Sequence, residues 1–376
     1  MIGSQKSWDA MRTRLESRLS GLTGLPHCVL TGRGATAIWL ALKAFAERVP
    51  ERTGVVIPVT LCTSPPAVVI HAGLTPVFCD TDPATGNLCP KALSKLLAER
   101  DDILCVLAAH LYGEPADMPA IAAACDQAGA FLIEDSAQAL GADGIGTYGD
   151  VTILSFGHTK IVEAGGGGAA LTHDPVLAAA MQRKADALPE KSPNVSAWAE
   201  TYRSTYYAAQ SVWDRSPEAK EWVGAVCRAE PGLYLYRLAE GQTGLILSAL
   251  ERLDAEAAGR RERAAVYDRA FAGIGTPLKR TGAGVPWRYG LMLPEQHRDA
   301  AAAVLREAGI DASCWYPSCT RFFGDRGQYP GGEAIERGIL NLWVDDRADK
   351  ARIERTAAIV SNVLTGAAAN GGRQYG

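Results

Sequence analysis

The sequence lacks the features that mark several classes of protein. No apolar run reaches the length of about 18 residues that a transmembrane helix needs, and the first residues do not form a secretion signal. Basic residues form no block and the formal net charge is −4, so neither nucleic acid nor a membrane is a predicted partner. The nine cysteines include no CxxC pair and no metal-ligand spacing, which predicts reduced thiols, no bound metal and a cytoplasmic protein.

The sequence does contain enough apolar material for a large core, with 47% hydrophobic residues in a chain of 376. From Cys28 to about Leu171, short apolar runs with little polar alternation are separated by helical segments. This pattern predicts an α/β fold with a mostly parallel sheet sandwiched by helices. The predicted strands are Val55–Ile57, Pro76–Cys79, Ile103–Ala109, Phe131–Glu134, Val151–Phe156 and Ala169–Leu171, and the predicted helices are Ala35–Glu47, Pro65–His71, Pro90–Glu99 and Met118–Ala128.

Two domains are predicted. Residues 1–255 form the large one, which begins with a helix, and residues 256–376 form a smaller C-terminal α/β domain with a frayed tail. Residues of about 175–232 are rich in tryptophan, tyrosine, charge and proline, which predicts an irregular insertion in the large domain. The run that follows, RLAEGQTGLILSALERLDAEAAGRRERAAVYDRAF, predicts one long helix or two abutting ones.

Two residues at the ends of predicted strands point to specific chemistry. Asp135 follows one strand, and Lys160 follows the next strand and precedes four consecutive glycines. Ligands of parallel sheets bind at the carboxyl ends of the strands. A lysine and an acid placed there suit pyridoxal 5′-phosphate (PLP), because the lysine forms a Schiff base and the acid keeps the pyridine nitrogen protonated. The plainer alternatives are that Asp135 caps a helix and that Lys160 lies on the surface.

A phosphate site is predicted where the chain enters its first apolar helix after position 32. Gly32 and Gly34 precede this helix, and free N–H groups at a helix start bind phosphate well. Thr36 and Ser155 can each add a hydroxyl. The glycine spacing alone is weak evidence, since it matches neither the Walker A nor the dinucleotide-binding pattern.

Several other residues are candidates for the same site. Gln138, one helical turn after Asp135, can donate to the 3-oxygen of the PLP ring, with a solvent contact as the alternative. His110 and His158 also follow strands, and a structural hydrogen-bonding role is predicted for both. Carboxylate or phosphate is a possible ligand of Arg33, Arg237 and Arg288. Five aromatic residues of the insertion are candidates to line a pocket, although core packing or a dimer contact is the expected default: Trp198, Tyr202, Tyr206, Tyr207 and Trp213.

The motifs HLYGEPADM, IEDSAQALGA and SFGHTK occur in an order that resembles the DegT/DnrJ/EryC1/StrS-type sugar aminotransferases. This family is a branch of the aspartate aminotransferase superfamily, which has PLP fold type I. Other shared stretches are TGRGATAIWLALKA, HAGLTPVFCDTDPATGNL, GGGGAALT and RRERAAVYDRAF, with weaker likeness at EAGIDASCWYPS. The resemblance covers most of the chain except the insertion, and the combination of motifs is specific although each alone is not.

The resemblance implies a role for each candidate. Lys160 carries the cofactor, Asp135 contacts the pyridine nitrogen, Gln138 reaches the ring hydroxyl, and Ser155 contacts the phosphate. The cofactor-binding set is Gly34, Ala35, Thr36, Cys62, Asp135, Gln138, Ser155 and Lys160. The resemblance also implies a homodimer with active sites at the subunit interface, keto-sugar acceptors and glutamate as a frequent amino donor.

Three positions depart from the family pattern. Cys62 stands where an aromatic side chain usually lies against the ring face. Leu235, in the motif LYLYRL, replaces a frequent asparagine that reaches the phosphate of the neighbouring subunit. Ala35 replaces a frequent threonine, which Thr36 can offset. Compensation for the asparagine is expected from Tyr234, Tyr236 or Arg237.

The sequence therefore predicts a PLP-dependent aminotransferase that moves an amino group from an amino acid to a keto-sugar or similar keto intermediate in a biosynthetic pathway. One alternative is elimination, dehydration or carbon–carbon bond formation on the same fold, which the changes at Cys62 and Leu235 motivate. The family's dehydratases carry histidine at the position of Lys160, which argues against that branch. Another alternative is a binding or regulatory module, which the presence of both Lys160 and Asp135 disfavours.

Overall fold

The larger sheet has seven strands in the order β1-β7-β6-β5-β4-β2-β3. The computed structural model describes residues 2–213 and 215–366, so most of the predicted frayed tail lies outside it. Strands β2 to β6 are parallel, whereas β7 is antiparallel to both β6 and β1, which confirms the predicted mostly parallel sheet. The strands are β1 (His27–Thr31), β2 (Gly54–Pro58), β3 (Thr75–Cys79), β4 (Ile103–Ala109), β5 (Phe131–Asp135), β6 (Val151–Ser155) and β7 (Gly168–Thr172).

Helices cover both faces of this sheet. Val56 of β2 belongs to one apolar core and the adjacent Ile57 to another, since successive side chains of a strand point to opposite faces. The helices are α1 (Ile2–Thr23), α2 (Gly34–Arg48), α3 (Ser64–His71), α4 (Pro90–Ala98), α5 (Met118–Ala128), α6 (Pro175–Asp186), α7 (Val195–Gln210), α8 (Ala219–Ala229), α9 (Glu240–Leu250), α10 (Leu253–Ala270), α11 (Glu295–Glu307), α12 (Pro330–Gly338) and α13 (Lys350–Leu364). Burial on both faces explains why the strands show no polar alternation.

A second, antiparallel sheet of four strands has the order β10-β11-β9-β8. Its strands are β8 (Thr276–Pro277), β9 (Tyr289–Met292), β10 (Ala312–Ser313) and β11 (Ile339–Leu342). Tyr267 of α10 stacks on Tyr289 of β9 with ring centroids 4.7 Å apart, and both belong to a separate apolar core. The domain boundary at 255/256 stays a prediction; it falls just inside α10.

The segment of about 175–232 is helical where an irregular course was predicted. It contains α6, α7 and α8, and its prolines at 189, 193 and 217 lie between these helices rather than inside them. Leu177 and Met181 of α6 share the core of α2, so the first helix covers the large sheet. The other two helices pack together and reach the 3-10 turn Thr320–Phe323, which explains their aromatic content.

The long run after the insertion forms two helices, α9 and α10, separated at residues 251–252. At the other end of the chain, Leu15 and Leu19 of α1 are buried in the core that includes Leu250 of α9. Within the described residues, no helix has the length and apolarity that a membrane span requires.

Candidate active site

The carboxyl ends of β4, β5 and β6 and the start of α2 surround one cavity. The residues of the predicted cofactor-binding set that line it are Gly34, Ala35, Cys62, Asp135, Gln138, Ser155 and Lys160. The remaining lining residues are Arg33, Ile38, Leu61, Ser64, Pro65, Ala109, His110 and Ala137. Because parallel strands end at the same edge of a sheet, residues distant in the chain converge here.

Asp135 is the last residue of β5 and is buried. Its Oδ1 accepts one hydrogen bond from the N–H of Ala137, at 3.0 Å. Burial raises the pKa of Asp135, and the bond from Ala137 and the nearby positive charge of Lys160 oppose this shift. A carboxylate can accept about four hydrogen bonds, so this one keeps capacity for a ligand.

Lys160 follows β6 in a short turn, where its N–H donates to the carbonyl of Gly157 at 3.3 Å. The residue is half-buried and lines the cavity. Burial lowers the pKa of Lys160, and Asp135 opposes the shift whereas Arg33 strengthens it. The neutral amine is the nucleophilic form, so this environment suits the formation of a covalent bond to an aldehyde.

The start of α2 offers a site for an anion. Among the described residues, its N-cap residue Arg33 makes no capping hydrogen bond with its side chain, so N–H groups of the first helical turn can bind a ligand. Gly34 must be glycine, because a Cβ there would stand 2.8 Å from Cβ of Ser155. Among the described residues, no protein group is hydrogen-bonded to the hydroxyl of Ser155. N–H groups and a hydroxyl with open capacity suit a phosphate.

Thr36 is not brought to this cavity. It is fully buried, and its hydroxyl donates to the carbonyl of Tyr234. The N–H of Gly32 likewise donates to the carbonyl of Tyr236, at 3.0 Å. The segment around residue 235 therefore packs against the start of α2 in its own chain. The spacing that suggested a phosphate contact for Thr36 could not show which way its side chain points.

The three candidates to compensate for Leu235 have different surroundings. Tyr234 and Tyr236 are buried, and Tyr234 lies under the guanidinium of Arg33 with 5.7 Å between Cζ and the ring centroid. Arg237 is exposed and forms an ion pair with Glu190. None of the three lines the cavity of the described chain.

Gln138 connects the cavity to an aromatic wall, formed by Tyr112, Trp287, Trp315 and Tyr316. Its Oε1 accepts from the N–H of Tyr112 at 3.0 Å, and its Nε2 donates to the hydroxyl of Tyr316 at 3.0 Å. One N–H of the amide remains for a ligand. Trp287 stacks on Tyr316 at 6.1 Å, and its indole N–H donates to the carbonyl of Thr159. Sequence reasoning missed this wall, because its members are far apart in the chain.

His110 and His158 have partners of their own. Nδ1 of His110 accepts from the N–H of Ala116 at 3.0 Å, so Nε2 carries the proton and donates to Glu134 at 3.1 Å. His158 is exposed and contacts Glu163. Both therefore have the surroundings of structural histidines, although His110 also lines the cavity.

The aromatic residues of the insertion do not line the cavity as the described residues form it. Tyr206 stacks on Trp315 of the aromatic wall at 5.6 Å, and the hydroxyl of Tyr202 shares a hydrogen bond with Thr63. The ring of Trp198 packs against Gly232, where no Cβ would fit. Trp213 lies under Lys220, and Tyr207 is exposed. Packing is their main role in this structure.

The residues present fit PLP on three observations. A half-buried amine and a buried carboxylate share one cavity, an uncapped helix start lies beside a free hydroxyl, and Gly34 allows close backbone approach. Within the described residues no group of side chains could hold a metal ion, and all nine cysteines are free. This fold and this cavity define the class of fold type I PLP enzymes.

The chain belongs to the DegT/DnrJ/EryC1/StrS aminotransferase family, whose model matches residues 8–361. It is therefore an aminotransferase that uses PLP, as the family does. The resemblance drawn from the motifs is confirmed, and so are the predicted fold class, enzyme class and cofactor.

Named relatives agree with this assignment. The chain is 28% identical, over 94% of its length and 88% of the relative, to UDP-N-acetyl-3-dehydro-α-D-glucosamine 3-aminotransferase of Acidithiobacillus ferrooxidans. It is 29% identical, over 85% of its length and 72% of the relative, to L-glutamine:2-deoxy-scyllo-inosose aminotransferase of Streptomyces paromomycinus. Among solved structures, NtdA of Bacillus subtilis with bound pyridoxamine phosphate (PMP) has the same fold, with a TM-score of 0.75, 17% identity and coverage of 94% and 77% of the two chains.

Proposed function

We propose that this enzyme transfers the amino group of L-glutamate or L-glutamine to a keto-sugar or a similar cyclic ketone. The names of the two relatives support this acceptor class, and one of them includes L-glutamine as the donor. A biosynthetic role in which a sugar-like ketone becomes an amine follows from the same comparison. The observation that carries the proposal is the convergence of Lys160, Asp135 and the start of α2 on one cavity.

The proposed roles of the residues follow from their surroundings. Lys160 would hold PLP covalently, and its Nζ, with its lowered pKa, would take the proton from Cα of the bound donor. Asp135 would hold a proton on the pyridine nitrogen, because a buried carboxylate with open capacity favours a cationic partner. PLP itself would supply the electron sink that makes the Cα proton of the bound donor acidic.

The remaining roles concern binding. The N–H groups at Gly34 and Ala35 and the hydroxyl of Ser155 would hold the phosphate, and the free N–H of Gln138 would face the ring oxygen. Cys62 lines the cavity at a position where the family resemblance implies an aromatic ring, so the face of the PLP ring would have a smaller neighbour. Thr36 has no proposed contact with the phosphate, since its hydroxyl is used by Tyr234.

We further propose that the enzyme is a homodimer with shared active sites. The support is the family resemblance, which implies that the stretch represented here by LYLYRL reaches the neighbouring subunit. Light scattering coupled to size-exclusion chromatography tests this point. A monomer that is fully active would contradict it.

The first experiment locates the cofactor. Borohydride reduction of the PLP-loaded protein, followed by peptide mass analysis, is expected to place the label on Lys160. Lys160→Ala should lose the label while remaining folded. A label on a different amine, or none with saturating PLP, would contradict the proposal.

The second experiment tests the reaction. L-glutamate and L-glutamine are each mixed with the PLP-loaded enzyme, and conversion of PLP to PMP is followed by absorbance and chromatography. The PMP form is then given a panel of keto-sugars, free and nucleotide-linked. Formation of PMP supports transamination, whereas release of ammonia without PMP would favour elimination.

A further inference from the structure

Arg33 is the one arginine among the described residues that lines the candidate active site. It is half-buried and immediately precedes Gly34, the first residue of α2. The other two arginines considered as anion ligands lie elsewhere, since Arg237 forms an ion pair at the surface and Arg288 lies over two indole rings. Arg33 is therefore the arginine whose position suits a ligand in this cavity.

The backbone of Arg33 is held from several sides. Its carbonyl accepts from Oγ1 of Thr31 at 2.7 Å and from the N–H of Ala37 at 3.2 Å, and the residue forms an isolated bridge with Gly167. A Cβ on Gly168 would stand 2.4 Å from the carbonyl carbon of Arg33, so β7 packs directly against it. The side chain thus starts from a fixed point beside the start of α2.

The guanidinium of Arg33 has neutral protein partners. Its Nη1 donates to the carbonyl of Leu233 at 2.6 Å, and its Cζ lies 5.7 Å from the ring centroid of Tyr234. Burial raises the pKa of Tyr236, and the charge and a side-chain hydrogen bond of Arg33 oppose this rise. Within the described parts of the chain Arg33 forms no ion pair, so its charge has no counterion there. Most N–H groups of the guanidinium keep capacity for a ligand.

The family resemblance implies two polar side chains that this chain lacks. Ala35 stands at the position of a frequent threonine, and Leu235 at that of an asparagine that reaches the phosphate of the neighbouring subunit. Thr36 does not offset the first change, because its hydroxyl is used by the carbonyl of Tyr234. The predicted substitutes for the asparagine do not line the described cavity either. The remaining phosphate donors, the N–H groups of α2 and the hydroxyl of Ser155, are uncharged.

A phosphate monoester carries a charge of about −1.5 to −2 near neutral pH. Placing this charge in a partly buried cavity is costly unless a cation offsets it. A guanidinium does so effectively, because its planar group of donors matches two phosphate oxygens at once. Arg33 has the charge, the free donors and the position at the start of α2 that this contact requires.

We propose that Arg33 binds the phosphate of PLP and takes the place of the asparagine that this chain lacks. This inference rests on the proposed cofactor site. The guanidinium would bring a positive charge from the same chain, whereas the asparagine implied by the resemblance is uncharged and comes from the neighbouring subunit. The bond to Leu233 would orient the group while its other N–H groups face the phosphate. The other source of a phosphate for Arg33 is a nucleotide-linked acceptor.

Calorimetry with PMP and with pyridoxamine isolates the contribution of the phosphate, because neither compound has an aldehyde that can react with Lys160. The matched control is Arg52→Gln. Arg52 is also half-buried and, among the described residues, donates only to carbonyls, but it does not line the cavity. Arg33→Gln is expected to weaken PMP binding about fiftyfold and Arg33→Lys about fivefold, with pyridoxamine affinity unchanged. Arg52→Gln should bind both compounds like the wild type.

A purely structural role for Arg33 would give a different result. Loss of its contacts with Leu233 and Tyr236 would lower the affinities for PMP and pyridoxamine equally, and equal losses would overturn the proposal. Wild-type PMP affinity in Arg33→Gln would overturn it too, and a loss in Arg237→Gln instead would assign the phosphate to Arg237. Wild-type protein that binds neither PMP nor PLP would contradict the proposed function rather than the role of Arg33.

Phosphorus NMR of bound PMP reports the charge beside the phosphate. A guanidinium favours the dianion, so the bound phosphate of the wild type should take up a proton at lower pH than free PMP, whose pKa is about 6. In Arg33→Gln this midpoint should rise toward that of free PMP, whereas Arg33→Lys should keep it low. A midpoint that is the same in Arg33→Gln and the wild type would contradict the proposal.

Steady-state kinetics separates the cofactor from the acceptor as the source of the phosphate. With saturating PLP, Arg33→Gln should keep the wild-type ratio of the KM values for nucleotide-linked and free keto-sugars. A rise in KM confined to nucleotide-linked acceptors, with unchanged PMP affinity, would assign Arg33 to the acceptor, and the proposal would be wrong.

Discussion

Glu134 and Asp135 are consecutive carboxylates at the end of β5, yet their surroundings differ sharply. Glu134 accepts bonds from His110 at 3.1 Å and from the N–H groups of Gly146 at 2.7 Å, Tyr148 at 3.2 Å and Gly149 at 3.1 Å. Asp135 accepts one bond with its side chain, from Ala137. Since adjacent side chains of a strand point to opposite faces, one carboxylate faces the protein interior and the other faces the cavity.

The electrostatic consequences are opposite as well. Burial alone would raise the pKa of Glu134, but the bonds from His110 and the backbone outweigh it and the pKa falls below its ordinary value. At Asp135 burial prevails and the pKa rises. Glu134 thus has its hydrogen bonds within the protein, whereas Asp135 keeps acceptor capacity for a ligand. Open hydrogen-bonding capacity distinguishes a binding residue from a structural one here, because burial and residue type do not.

The largest effect is expected for Asp135→Asn. An amide cannot hold a proton on the pyridine nitrogen, so the conversion of PLP to PMP by L-glutamate should slow by roughly a thousandfold. The melting temperature of the cofactor-free protein should change little, because within the described part of the chain the side chain accepts only the bond from Ala137. Stopped-flow absorbance and thermal unfolding give the two values. A variant with the wild-type rate would contradict the proposed role.

Glu134→Gln should have the opposite pattern of effects, with a large loss of stability and little change in the reaction rate. The amide cannot accept all the bonds that converge on Glu134, so the free energy of unfolding should fall by about 3 kcal/mol, whereas the folded fraction should react at nearly the wild-type rate. Because the folded-state pKa of Glu134 is lowered, its stabilisation is present above the ordinary pKa and is lost as the pH falls through the lowered value. The difference in the free energy of unfolding between Glu134→Gln and the wild type should therefore become smaller at acidic pH. Urea unfolding at several pH values measures it, and a variant as stable as the wild type at neutral pH would refute this reading.

Glu134 and Asp135 also show which features of the structure could be predicted from the sequence. The apolar runs and the motifs predicted the sheet, the family and the position of Asp135 at a strand end, because these depend on local patterns. They could not predict that Glu134 is hydrogen-bonded to His110, or that Trp287 donates to the carbonyl of Thr159, because those contacts form between distant segments. The orientation of Thr36 and the helical course of the insertion depend on tertiary packing in the same way.

The pH dependence of PLP capture gives a third distinction between the two acids. The negative charge of Asp135 raises the pKa of Lys160, against the larger lowering caused by burial. Asp135→Asn should therefore lower that pKa further and shift the pH at which cofactor-free protein captures PLP half-maximally to a lower value. Glu134→Gln is the matched control and should leave the midpoint unchanged. The initial rate of PLP incorporation between weakly acidic and alkaline pH measures the shift, and identical midpoints in all three proteins would contradict the coupling.

The smallest effect is expected for two hydroxyl groups, one with open hydrogen-bonding capacity and one whose capacity is used within the protein. Ser155 lines the cavity and makes no hydrogen bond within the described residues, whereas the hydroxyl of Thr36 is used by the carbonyl of Tyr234. Ser155→Ala should weaken PLP binding about fivefold, equivalent to about 1 kcal/mol, and leave the unfolding of the cofactor-free protein unchanged. Thr36→Val should leave PLP affinity unchanged and lower the free energy of unfolding by about 1 kcal/mol, since a buried carbonyl loses its donor. Fluorescence titration with PLP and urea unfolding measure both quantities in both variants. If Thr36→Val weakened PLP binding more than Ser155→Ala, the phosphate would contact the hydroxyl that this structure assigns to packing.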